Sequence, residues 1–586
     1  MYLTGVAYLA VATAGVTMLA CSFAPRAEAQ QAPFRLEALV DFVDDAMAAV
    51  ITPKHVDAMM AALHEMGVTR VSWAYYGDGH GGYLTPSGLS GPWRNCAATW
   101  AALGNPLQVA TEAAHRHGIE LYAYYKPYET GPGISLPDGS PHGREFGRIR
   151  QKGGWLTWLD PFVVEHPQLR IRHKPDETLD DLSGVPICGL KLVKRDDSPT
   201  RVTAEHLQIW TSRLNHRYRR LDVELEAREE VAPSPRQVRD PNGTVITEQG
   251  APVRTLTLTG FRLTDPYILV TTDFAEGPAD FVNAGTDLLV ALDEQGNEIP
   301  GVFATGGAIW EASKVDFRDW GLLFDYGRGR SPVRLDAPNA SGREGLIAFT
   351  RGRNEYLPGA LCETEPQVRE FWLSCIEEML DAGVDGIDFR IENHGTHTDY
   401  CEEYGYNEVV LAQCAREGKT DDATVAQVRG EAYTSFLRDA RELIASGGKR
   451  MRINLNIDWF RPDPPPGRAL AYPANIHYDW RRWVQEGLLD EGILRMFQLP
   501  FDAVFSDAIA AEMIDSCEKK GIPLTVNRYI NPAYPGEFAR VIEDGRFSGF
   551  IIYETASCLR FSAPNQCSLS NDVVSQVCEM MKERVW

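Results

Sequence analysis

The run Gly386-Ile-Asp388-Phe-Arg390-Ile-Glu392 puts ionisable side chains at alternate positions. In an extended strand Asp388, Arg390 and Glu392 share one face and Ile387, Phe389 and Ile391 the other. A second run repeats the alternation, with Asn454, Asn456 and Asp458 against Ile453, Leu455 and Ile457, and a third, Gly549-Phe-Ile-Ile-Tyr-Glu554, ends in a carboxylate. Carboxylates, amides and aromatic rings on one rim suit cleavage of a glycosidic bond. One carboxyl group protonates the leaving oxygen, a second attacks the anomeric carbon or activates water, and amides hold hydroxyls. Asp388 and Glu554 are the leading acid pair on this reading, with Asp458 and Glu392 as substitutes, and Arg390 is expected to keep Asp388 ionised. Arg390, His394, Asn456, Asn527, Gln498 and Lys126 are expected to hold the sugar, and Tyr75 and Trp459 to stack on it.

His394 and His397, with Glu392 and Asp399, form a local set of nitrogen and oxygen donors, so a metal-dependent hydrolase is one alternative. Loop histidines three residues apart serve more often as hydrogen-bonding groups, and the run Val71–Tyr75 lacks the H-x-H of metal-dependent amidohydrolase barrels. A non-catalytic glycan-binding surface protein is the other alternative. The leading reading calls for no cofactor and no metal.

The elements that must carry these residues follow a strand-then-helix grammar. Thr52-Pro53 opens a helix with apolar residues at Val56, Met59, Met60, Leu63 and Met66, and Gly67 ends it. Val71-Ser-Trp-Ala-Tyr75 then reads as a strand, and the same order returns at Ile119-Glu-Leu-Tyr-Ala-Tyr-Tyr-Lys126. Thr364-Glu-Pro-Gln367 reads as a capping box before a helical face ending at Gly383, with Val384-Asp-Gly-Ile-Asp-Phe-Arg390 as the next strand. Further strands are expected near residues 450–457, 493–499, 523–528 and 548–553. With 320–325 taken as the third, eight units describe a (β/α)8 TIM barrel. Between about residues 199 and 305 the grammar changes to short alternating runs such as Thr255-Leu-Thr-Leu-Thr and Tyr267-Ile-Leu-Val-Thr-Thr, the mark of an inserted antiparallel β-sandwich domain. The expected organisation is a leader over 1–29, barrel over 30–198, insertion over 199–305, and barrel again over 306–586.

The segment from Thr364-Glu-Pro-Gln-Val-Arg to Val384-Asp-Gly-Ile-Asp-Phe-Arg390 resembles the PeVr…vDGi.lD.iR signature of the family 10-like glycoside hydrolases, whose fold is a barrel. Gly67-Val-Thr-Arg-Val and His117-Gly-Ile-Glu-Leu match the same layout. The resemblance implies a (β/α)8 fold and sugar-directed hydrolysis, with the family's aspartate at Asp388 and its arginine at Arg390. The chain departs from that pattern at Glu392-Asn-His-Gly-Thr-His, where the family continues into an aromatic-rich, proline-containing loop.

Composition narrows the partners. Acidic residues outnumber basic ones by 81 to 58, a formal net charge of −23, and such a field repels phosphate backbones, so nucleic acid is disfavoured and a poly- or oligosaccharide substrate is expected. Val6 to Ala20 is apolar and too short to span a bilayer, as in a signal-peptide core. Ala27-Glu28-Ala29 suits cleavage, while Leu19-Ala20-Cys21 resembles a lipoprotein box. Export is expected by either route, to the periplasm, the medium or a lipid anchor at Cys21, with no membrane span. Of the remaining ten cysteines, Cys558 and Cys567 enclose a short loop. Buried thiols and disulfides both remain open.

Overall fold

The computed structural model describes residues 34–75, 92–130, 155–158, 160–175, 184–215, 217–239, 245–273, 288–304, 310–311, 320–323, 347–352, 355–391, 401–461, 475–496 and 499–584. Eight strands close a parallel barrel in chain order: β1 (Arg35–Val40), β2 (Val68–Ala74), β3 (Glu120–Tyr125), β4 (Gly386–Phe389), β5 (Arg450–Asn456), β6 (Glu491–Arg495), β7 (Leu524–Tyr529) and β8 (Gly549–Tyr553). At least one helix lies between each pair of consecutive strands, and Asp572–Arg584 follows the last. The fold is a (β/α)8 barrel with additional antiparallel sheets.

Local signals explain the outer layer. The helix Pro53–Glu65 starts with proline in its first turn, and the Thr52 N–H donates to Nδ1 of His55 at 3.1 Å. It buries Val56, Met59, Met60 and Leu63, the apolar stripe expected from the 3.6-residue period. Gly67 leaves it at φ +86°, a conformation that favours glycine. The helix Pro366–Asp381 differs from expectation at its start: Glu365 is the N-cap, without a side-chain cap bond, so Thr364 forms no capping box. The cause is Pro366, whose fixed φ suits the first helical position and sets the start one residue later.

Two strand assignments are corrected. The barrel begins with Arg35–Val40, which the sequence reading passed over beside the leader-like segment, so Val71–Tyr75 belongs to the second strand and Ile119–Lys126 to the third. Trp320–Leu323 is no barrel strand; it pairs antiparallel with Trp155–Trp158. The long interval therefore separates β3 from β4. In it, Val290–Leu292, Gly189–Val193, Pro252–Thr259 and Glu226–Pro233 form one antiparallel sheet. A second contains Val302–Ala304, Ile347–Arg351, Tyr267–Thr272, Leu207–Ser212 and Arg219–Arg220, with Trp310–Glu311 added in parallel. The sheets share an apolar core that includes Leu190, Leu256, Leu258, Ile268, Val270 and Phe349. Cys558 and Cys567 are both free thiols, which removes the disulfide suggested by their spacing.

The N-terminal end of the barrel is filled by charge. Arg70 on β2 lies 3.5 Å from Glu37 on β1 and 2.6 Å from Glu120 on β3, and also pairs with Glu491 on β6. Arg452 on β5 completes the set, 2.7 Å from Glu37 and 3.7 Å from Glu491. The Tyr122 ring fills the space beside them, its centroid 4.2 Å from the Arg70 guanidinium and 5.7 Å from that of Arg452. Gly386 makes room for it: a Cβ there would fall 2.6 Å from the Tyr122 ring, which gives the Asp-Gly of the signature a steric reason.

Burial works against ionising Glu491, but Arg452 and Arg70 outweigh it and hold the acid at about 2, against its usual 4.5. Its charge therefore contributes stability that is full above pH 4.5 and lost as pH falls toward about 2. Glu491→Gln should lower the unfolding free energy at pH 7 by about 3–5 kcal/mol in urea titrations. It should also flatten the acid limb; a limb as steep as in the unaltered chain would locate the acid sensitivity elsewhere.

Candidate active site at the C-terminal mouth of the barrel

Alternation along the strands decides which expected residues reach the lumen. On β4 Asp388 points inward, registered between Tyr124 of β3 and Arg452 of β5. Asp388 is fully buried, and its carboxylate accepts from Ser72 Oγ at 3.1 Å and Asn454 Nδ2 at 2.6 Å. Burial raises its pKa to about 6, against the opposing pull of Arg452, the Ser72 bond and Arg495. This corrects two expectations. Arg390 does not keep the acid ionised, because its guanidinium donates instead to the Tyr124 hydroxyl and, at 2.5 Å, to the Tyr553 hydroxyl. Asp388 also offers no surface to a substrate: it belongs to the layer beneath the mouth.

Asn456 and Asp458 shape the exit of β5. The Asn456 side-chain oxygen accepts the backbone N–H of Asp458 at 2.9 Å and of Trp459 at 3.1 Å, a local turn that competes with sugar binding for that oxygen. Asp458 is fully buried and accepts the Leu499 N–H at 3.1 Å, tying this exit to the segment after β6. Trp459, expected to stack on sugar, is packed in the main core. Tyr75 is also corrected. It follows the inward Ala74, so it points outward, and its hydroxyl donates to Glu378 on the helix Pro366–Asp381 at 2.6 Å. Asn527 on β7 does reach the lumen, registered between Arg495 and Ile551, with its Nδ2 buried and without a hydrogen-bond partner among the described residues. Glu392, His394, His397, Asp399 and Gln498 lie outside the described residues.

The structure brings Glu554 and Lys126 together with an acid the sequence reading missed. Lys126 Nζ lies 3.1 Å from Glu129 and 3.8 Å from Asp41, the residue immediately after β1. Burial opposes the Lys126 charge, but Glu129 and Asp41 hold its pKa above the ordinary value. Glu554 follows β8, enclosed by protein while keeping part of its surface in solvent. Burial first, and then the Asp41 charge, push its pKa up to about 7, while Arg390, Arg495 and Lys126 pull the other way. Among the described residues this is the partly exposed strand-end acid that stays half protonated near neutral pH. Its backbone is left-handed, φ +57°, which is uncommon without a glycine.

The mouth beneath Glu554 is built from cations and tyrosines in alternation. Arg390 lies 5.6 Å from the Tyr124 ring centroid and 5.7 Å from that of Tyr553, Arg495 lies 4.5 Å from the Tyr553 centroid, and Lys126 lies 5.5 Å from that of Tyr124. Asp41 was missed with its strand, although Glu37, Leu39 and Asp41 alternate in the required way. Arg495 was missed because β6 ends there, three residues before the expected Gln498.

No family model matches the chain, and no curated protein matches it. Several solved structures are similar at low identity. The glycoside hydrolase domain of PelA from Pseudomonas aeruginosa is 14% identical over 35% of this chain and 66% of that one, with a TM-score of 0.20. β-Galactosidase from the psychrophilic Marinomonas ef1 is 8% identical over 94% of this chain and 59% of that one, with a TM-score of 0.35. An exo-β-N-acetylglucosaminidase from Vibrio harveyi is 8% identical over 94% and 58%, with a TM-score of 0.34. The chain thus spans less than two thirds of each of these three.

A left-handed glutamate costs roughly 1–2 kcal/mol in backbone energy, which glycine relieves. Glu554→Gly should therefore leave stability unchanged or raise it by up to about 1 kcal/mol in thermal or urea unfolding, glycine's greater unfolded-state entropy offsetting part of the gain. A loss above about 1 kcal/mol would instead make the side chain a structural element of the mouth.

Proposed function

We propose that the chain is a glycoside hydrolase acting on a poly- or oligosaccharide, with Glu554 as the general acid and Asp41 as the second carboxylate. The carrying observation is Glu554 itself: a strand-end acid at the barrel mouth, held in left-handed backbone, with burial and the Asp41 charge setting its pKa at about 7. Such a group is protonated in a large fraction of molecules at neutral pH and can pass its proton to a departing glycosidic oxygen. Asp41, 3.8 Å from Lys126, supplies the negative charge that attacks the anomeric carbon or draws a proton from water. Arg390 and Tyr553 support the floor on which the sugar sits, and Asp388 acts from below, through Asn454 and Ser72. Export accords with the apolar run from Val6 to Ala20.

The test uses substrates with good and poor leaving groups. Glu554→Gln should lower kcat about 10²–10⁴-fold on unactivated oligosaccharides and far less on dinitrophenyl glycosides, whose leaving group needs no proton. In the unaltered enzyme the rate should fall as pH rises through about 7. Asp41→Asn should lower turnover on both substrate types and move the remaining basic limb to lower pH, because the charge that raises Glu554 is gone. Equal activity of Glu554→Gln on unactivated substrate would overturn the assignment. Loss in Glu392→Gln with none in Asp41→Asn would transfer the second role to Glu392.

A further inference from the structure

The antiparallel sheets carry a groove of about 700 Å³ at one end, with no residue of a barrel strand in its lining among the described residues. It lies where the strands Gly189–Val193, Pro252–Thr259 and Val290–Leu292 begin or end, and its volume falls within the roughly 300–1,000 Å³ of small-ligand sites. Two glycines shape it. Gly189 keeps the margin open, since a Cβ there would crowd Leu292 at 3.2 Å. Gly260 turns the chain at φ +95°, where a Cβ would fall 2.6 Å from the Glu224 carbonyl oxygen. Phe261 and Arg262 follow that turn and both line the groove.

The lining combines two chemistries. Val223, Phe261 and Leu292 supply apolar surface, and Val223 is among the exposed large hydrophobic residues. Arg262 donates through Nε to Glu294 at 2.9 Å, so one rim presents guanidinium donors beside a carboxylate acceptor. The turn that carries Glu294 and Gln295 is tied by its own bonds: the Asp293 carboxylate accepts the Gln295 N–H at 2.9 Å and the Asn297 N–H at 2.8 Å. A hydroxyl both donates and accepts, and a sugar ring pairs hydroxyls with an apolar face of C–H groups. Asp293 and Glu294 outnumber Arg262, which disfavours polyanions here as the net charge of −23 does for the whole chain.

We infer that this groove binds a short segment of neutral glycan, apart from the barrel mouth, and so holds the polymer on which the mouth acts. The inference rests on the reading of the chain as carbohydrate-active, but its site is independent of Glu554. The full chain is run through native gels containing laminarin, glucomannan or xylan, with alginate as a polyanionic control. At least one neutral polysaccharide should retard it and alginate should not. Arg262→Ala with Glu294→Ala should weaken the retardation about tenfold or more, Val223→Trp should weaken it by filling the groove, and Glu554→Gln should leave it unchanged. Cys188 lines the same groove as a free, partly exposed cysteine, so a neutral oligosaccharide that binds should slow its alkylation by iodoacetamide, read by peptide mass. Retardation unaffected by both groove variants, or no retardation by any neutral glycan together with unprotected Cys188, would overturn the inference. Retention of groove binding alongside unimpaired turnover by Glu554→Gln would instead overturn the catalytic assignment alone.

Discussion

Charge enclosed within a closed ring of strands is the constraint on which the rest of the structure depends. Glu37, Arg70, Arg452 and Glu491 come from four strands and are all buried at one end of the lumen. Any one of them left alone there would cost several kcal/mol, so the set is tolerable only when all four meet. They meet only if β1 joins both β2 and β8, that is, only if the barrel closes. Register is bound by the same condition, because sliding β1 by one residue would turn Glu37 to the outer layer and leave two arginines short of a partner.

The charge is then graded along the barrel axis. At the floor the pairs are tight and Glu491 stays ionised well into acid. One layer up, the hydrogen-bond partners of Asp388 among the described residues are a hydroxyl and an amide, and burial leaves it half protonated near pH 6. At the mouth Arg390 donates to the hydroxyls of Tyr124 and Tyr553, Arg495 lies over the Tyr553 ring and Lys126 over that of Tyr124, with Asp41 and Glu129 beside Lys126. Two acids with raised pKa values therefore share one lumen, and position separates their roles: Asp388 is sealed beneath the mouth and Glu554 retains contact with solvent.

Much of this was legible in the sequence because two periodicities report it directly. The 3.6-residue stripe of Pro53–Glu65 and the two-residue alternation through Asp388, Arg390, Asn454 and Asn456 place helix, strand and inward face correctly. What alternation cannot tell is depth. Asp388 and Arg390 share a face, but whether a side chain ends in the floor, the middle or the mouth depends on barrel shear and on where each strand stops. That is why Asp388 was read as a rim acid and Arg495 overlooked. Trp459 and Tyr75 failed for a related reason, since aromatic residues at strand ends belong to the core as readily as to a binding surface. β1 was hidden by length: six residues containing an arginine and a glutamate carry little pattern, and their charges make sense only opposite Arg70 and Arg452.

The left-handed backbone at Glu554 needs neighbours that hold it there, and both sides supply them. Upstream, β8 is fixed between β1 and β7. Downstream, the Ser557 N–H and hydroxyl both donate to the Glu554 carbonyl, at 2.9 and 2.7 Å, and Thr555 and Cys558 are fully buried. The hairpin Leu559–Ala563 and Gln566–Leu569 continues from this turn and packs on the helix Pro53–Glu65, with His55 against Phe561 at 5.1 Å between ring centroids. A residue over-determined in this way can persist in a costly conformation. The consequence is directional: strand alternation would turn the residue after the inward Tyr553 outward, whereas Glu554, in the left-handed turn, feels the charges of Asp41, Arg390, Arg495 and Lys126 at the mouth.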